Sequence, residues 1–197
     1  MSLESQKIDG VVAVVFKTSS FGLTQFLKKK EFNNIKLETF SQIWVETTLF
    51  LLHFCDREIF SVAYPSKRDI ILEKVLSKVS EALERHDDKL LEKFYGKRTD
   101  QNLDRYFNYL SKASFSINFT EAYKERQMEY QVCKEWLPGE NGSFEKTLVR
   151  EFSKKINSLV DQDLNIRIIG FGAILASEMI KVCKECVTPI LSISDGS

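Results

Sequence analysis

The residues of this 197-residue chain that could do chemistry gather in one stretch, 43–60, which reads IWVETTLFLLHFCDREIF. Glu46, His53, Asp56 and Arg57 stand there in an otherwise apolar run. A helix that is apolar almost all round belongs in a core, and polar groups inside it need partners. Each helical residue advances about 100°, so Glu46 and His53 lie within roughly 20° of one another, and Gln42 and Arg57 extend the same face. Two readings stand. In one, Glu46 fixes the His53 tautomer, and Arg57 or Asp56 binds a charged ligand in a polar pocket. In the other, Glu46 and His53 are a satisfied pair of the core, and Asp56 and Arg57 emerge into water at the helix end. A single histidine does not make a catalytic set.

Arg126 and Tyr130, one helical turn apart, can reach toward this helix and complete a candidate ligand-binding set of Glu46, His53, Asp56, Arg57, Arg126 and Tyr130. Glu121, Glu125 and Glu129 repeat every fourth residue, a stripe that suits a cation, a basic partner or plain solvent. A di-iron centre needs Glu-x-x-His on each of two helices, but Phe50 precedes His53 and Leu83 precedes His86 at that spacing. Cys183 and Cys186 have the spacing of a zinc or redox pair. No second pair accompanies them, and the end of a helix disfavours a thiolate, so chance spacing and reduced thiols are expected. The Gly170-Phe171-Gly172 segment lacks the pattern of a phosphate-binding loop. Neither a metal nor a cofactor is therefore expected.

Lys plus Arg and Asp plus Glu are equal at 28 each, which leaves no global field to hold nucleic acid or an anionic membrane. The basic run Lys28-Lys29-Lys30 beside Glu31 reads as a solvated helix end. Uncharged stretches such as 168–177 and 47–55 fall well short of the roughly 20 residues of a membrane-spanning helix. The apolar run 11–16 follows Glu4 and Asp9 without a basic leader. A soluble, cytoplasmic protein is expected, and four dispersed cysteines agree with a reducing compartment.

A hydrophobic content of 43% with 15 Phe supplies one sizeable core, while 8 Gly and 3 Pro leave little turn chemistry for a sheet protein. The expected fold is all-α, a single-domain bundle of about seven helices around a central apolar helix. Residues 10–16 are expected as a helix or extended arm, with Thr18-Ser19-Ser20 as a break and a short amphipathic helix over 21–30. The central helix starts at Leu37 and stops near Tyr64 because Pro65 follows, and Ser66 with Asp69 caps the next helix. Further helices are predicted over 67–86, 88–95 and 100–114, then over 121–136 after a linker at 114–118. A loop at 138–142 follows, and the next helix begins at Ser143 and passes through Leu159. Residues 161–163 end that helix or cap the last one, which spans 164–187 until Pro189 stops it. Residues 1–36 then form an N-terminal arm or short helices, 37–188 the bundle, and 189–197 a tail. Phe40, Trp44, Phe50, Phe54, Phe60, Phe107, Phe115, Phe119 and Phe152 fill a core, line an apolar cavity or meet a second copy. In the last helix Arg167, Glu178, Lys181 and Glu185 form a polar stripe, and Gly170, Gly172 and Ala173 permit close helix contact.

At 53–60 (HFCDREIF) and 125–130 (ERQMEY) the chain resembles a group of bacterial all-helical proteins without an assigned activity. The resemblance spans about 40–187. It implies a helical fold and a bacterial cytoplasmic source, and it carries no catalytic residue across. The expected role is an interaction or regulatory module, self-associating or bound to a protein partner. The alternative is a binder of an apolar or anionic small molecule, or a simple enzyme, built on the polar face of the central helix.

Overall fold

The computed structural model describes residues 3–32, 35–62, 65–95, 115–131, 133, 147–160, 163 and 165–192. Among these the chain is all-α, with six α-helices, one 3-10 turn (Lys30–Phe32) and no strand. The helices are α1 (Leu3–Leu27), α2 (Leu37–Val62), α3 (Pro65–Tyr95), α4 (Phe115–Tyr130), α5 (Leu148–Val160) and α6 (Ile166–Ser192). The predicted helix over 100–114, the loop at 138–142, and Phe107 lie outside the described residues.

Helix α2 packs against all five other helices and buries Phe40, Ile43, Trp44, Leu49, Phe50, Leu51, Leu52, Phe54, Cys55 and Ile59. Its Thr47 and Thr48 are also buried, because their hydroxyls donate back to the carbonyls of Ile43 (2.7 Å) and Trp44 (2.9 Å). Phe50 meets Phe152 of α5 with ring centroids 4.4 Å apart, and Phe26 of α1 packs edge-on against Phe171 of α6. Phe40, Trp44, Phe54 and Phe119 are core residues as well, whereas Phe60 is 59% exposed.

Helix α1 is continuous where a break is expected at Thr18-Ser19-Ser20. The Ser19 hydroxyl, which could pull the chain out of a helix, is bonded within the packed structure instead. Ser19 donates to the Phe16 carbonyl and accepts from Trp44 Nε1 of α2, and Thr24 donates to the Ser20 carbonyl. By length and composition α1 could cross a membrane. Here Ile8, Val11, Val15, Leu23 and Phe26 lie in the core, and Glu4 and Asp9 pair with Lys74 and Lys78 of α3.

Pro65 opens α3, the position where its missing N–H costs no helical bond, so Ser66 lies inside the first turn rather than at the cap. Helix α3 runs unbroken to Tyr95, so the predicted helices over 67–86 and 88–95 are one. Helix α4 begins and ends six residues earlier than the predicted 121–136. Asn157 of α5 donates to the Asp163 carbonyl and accepts from the Asn165 amide, which closes the turn into α6. Asn165 then caps α6 by accepting from the amides of Arg167 and Ile168, the role expected of residues 161–163. Pro189 does not stop α6, which continues to Ser192. It lies exposed in the last turn, where water can satisfy the carbonyl left without its amide.

Candidate functional site

The polar face of α2 meets α3 and α4. Glu46, 4% exposed, accepts from Tyr130 Oη at 2.7 Å and from Arg126 Nε at 3.0 and 2.9 Å to its two oxygens. Arg126 Nη1 turns outward to Glu129 at 3.0 Å, and Lys155 of α5 reaches the same carboxylate at 3.4 Å. The Glu46 carboxylate is therefore held by one cation and one hydroxyl of α4. Burial is the main reason the Tyr130 phenol stays protonated well above its ordinary range, and the Glu46 charge adds to it.

Two helical turns further along α2, His53 lies flat on Tyr123, with ring centroids 4.5 Å apart and 9° between planes, and meets Tyr130 edge-on at 5.0 Å. Its Nε2 is buried without a hydrogen-bond partner. Burial, followed by the charges of Arg57 and Arg126, pushes its pKa down from 6.5 to about 3, against the raising effect of the Tyr123 backbone. His53 is thus a neutral imidazole at pH 7. Tyr123 Oη is also buried and unpartnered, and burial together with the Asp56 charge drives its pKa far upward.

Asp56 is buried and Arg57 half-buried, so the reading in which both emerge into water fails at Asp56. The chain reverses at Pro65 and α3 brings Arg68 back over Asp56 in a two-pronged pair, Nε to Oδ1 at 2.8 Å and Nη2 to Oδ2 at 2.7 Å. Asp56 is 5% exposed. Arg57 Nη2 donates to the Tyr130 carbonyl at 2.8 Å, so a cation of α2 closes the negative C-terminal end of α4. The Cys133 amide donates to the same carbonyl at 3.0 Å.

The structure brings Glu46, Arg126 and Tyr130 into direct contact. His53 packs against Tyr130, and Arg57 meets the Tyr130 backbone. Asp56 pairs elsewhere, and Glu46 does not orient His53. Arg68 and Tyr123 belong to this network and were not read from the sequence. Their signals are visible in hindsight: Tyr123, Arg126 and Tyr130 share one helical face, and Arg68 sits in the first turn after the reversal that carries Asp56. Glu121 and Glu125 face solvent, the plain outcome for that stripe.

Cys183 and Cys186 part company, since Cys186 is exposed while Cys183 is buried 3.5 Å from Cys55 of α2, sulfur to sulfur. The shared hydrogen bond and burial raise the Cys55 thiol well above its ordinary range, which makes it unreactive. Among the described residues, no group of three or more His, Cys, Asp or Glu is placed to hold a metal ion. No family model, curated protein or solved structure matches this chain.

Proposed function

We propose that this protein is an interaction or regulatory module without catalysis, acting in a bacterial cytoplasm on a protein partner or a second copy of itself. In this reading α2 organises a single-domain bundle of about seven helices, the seventh read from sequence over 100–114. Nucleic acid and membrane are not its targets. The observation that carries the reading is the closure of Glu46 by Arg126 and Tyr130: the carboxylate best placed for acid–base work already has its bonds within the chain. Asp56 is closed in the same way by Arg68. The four free cysteines and the equal numbers of acidic and basic residues support the compartment and the target class.

A second reading rests on one observation, the unpartnered His53 Nε2 and Tyr123 Oη buried in the same cluster. These are groups a small polar ligand could satisfy, and the site would be a binding pocket formed by Glu46, His53, Asp56, Arg57, Arg126 and Tyr130.

Thermal unfolding of Glu46→Ala and His53→Ala separates the two. The module reading expects both variants to melt well below the parent, because each removes a buried contact between α2 and α4. Unchanged melting temperatures, with thermal-shift stabilisation by a small anion or apolar compound lost in both variants, would overturn it in favour of the pocket.

A further inference from the structure

We infer that the outward face of α6 is a self-complementary surface through which two copies of this chain pair antiparallel. The inference rests on the module reading and names its partner. At about 100° per residue, Arg167, Gly170, Ile174, Glu178 and Lys181 fall within roughly 40° of Ile174 on one side of α6. All five are exposed, while the opposite side, through Gly172, Ala173, Ala176, Met179 and Cys183, is buried against the bundle. Ile174 is 62% exposed, large for a helix whose other face is core.

The charge order makes a second copy the fitting occupant. In an antiparallel pair with its two-fold axis at the height of Gly172, residues whose numbers sum to about 344 stand opposite one another. Arg167 then faces the other copy's Glu178, Glu178 faces the other copy's Arg167, and Ile174 faces the other copy's Gly170. Neither Arg167 nor Glu178 has an ion-pair partner among the described residues. A Cβ placed on Gly170 would meet nothing within 4 Å, so the surface is open there for the opposing isoleucine. One residue patch contacting itself with both charges and shape satisfied is the mark of a two-fold interface. A single pair of helices is a small contact, so the dimer should be weak and sensitive to salt.

Sedimentation velocity over about 1 µM to 1 mM protein reads the dissociation constant directly. The proposal expects reversible dimerisation that Ile174→Glu abolishes. Arg167→Glu and Glu178→Arg should each weaken it at least about tenfold, and the two together should restore it, since the pair is then reversed on both sides of the axis. All these residues face solvent, so circular dichroism and melting temperature should match the parent and separate lost pairing from lost folding. A strict monomer up to the highest concentration overturns the proposal and leaves this face to solvent or another partner. Dimerisation that is indifferent to Ile174→Glu, or charge-swap variants that fail to rescue one another, overturns it by placing the interface elsewhere. None of these outcomes bears on the Glu46 and His53 melting test, so the interface can fail while the module reading stands.

Discussion

Mild acid should destabilise this protein through His53, and the size of the effect follows from its surroundings. Folding moves the imidazole from an ordinary pKa of 6.5 to about 3 by burying it between Arg57 on its own helix and Tyr123, Arg126 and Tyr130 on α4. Between those two values the unfolded chain binds a proton that the folded chain refuses, so stability rises with pH and is lost as pH falls below 6.5. One pH unit is worth about 1.4 kcal/mol, so the His53 contribution lost from pH 7 to pH 5 is about 2 kcal/mol, with a ceiling of about 5 kcal/mol near pH 3. For a chain of this size, 2 kcal/mol is a fall of about 4–8 °C in Tm. Urea unfolding at pH 7, 6 and 5 measures the loss, and His53→Phe supplies the reference. Phenylalanine keeps a ring on Tyr123, removes the unpartnered Nε2 and cannot titrate. The difference between parent and variant cancels His86 and every other group the two share. The variant should lose about 2 kcal/mol less than the parent over this interval. Equal slopes for the two proteins, or an imidazole proton resonance of His53 titrating near 6.5 in the folded protein, would refute the argument.

Arg126→Met should cost about 3 kcal/mol, because it leaves Glu46 charged and buried with Tyr130 Oη as its remaining close donor, and adding Glu46→Gln should recover part of the loss in urea unfolding. Asn165→Ala removes the cap of α6 and should cost about 1 kcal/mol, with faster amide exchange confined at first to the opening turn of that helix.

The all-α class was legible because composition and apolar spacing act over whole segments. Leu37 as the start of α2 was legible too, since the turn signal Asn33-Asn34 precedes it and Leu37, Phe40, Ile43 and Trp44 then recur at helical spacing. What misled was local chemistry that tertiary contacts override. Thr18, Ser19 and Ser20 read as a break, yet Trp44 occupies the Ser19 hydroxyl from another helix, a partner 25 positions away that no local pattern reports. Ser114 and Asn118 read as a linker, yet α4 begins at Phe115. The candidate site was half legible for the same reason. Periodicity places Glu46 and His53 on one face and Arg126 and Tyr130 on another, but which of them touch depends on how the helices are set against each other. Arg68 reaches Asp56 only because α3 folds back after Pro65.

The polar residues of α2 have a use that needs no ligand. Among the described side chains of α4, Phe119, Tyr123 and Tyr130 are fully buried, and apolar burial has no direction, so it does not by itself set how far α4 slides along its neighbours. The polar contacts do. A slip of one helical turn, about 5.4 Å, would part Arg126 and Tyr130 from Glu46 and carry the end of α4 away from Arg57, leaving a carboxylate and a guanidinium poorly satisfied in the interior. Such pairs add little net stability against a hydrophobic replacement, but their loss is costly, so their weight falls on the choice of register. A charged residue in an apolar helix is the signature of an active site and equally of a register pin. Here the partners are supplied from the same chain, with Arg126 and Tyr130 on α4 and Arg68 on α3, which favours the pin.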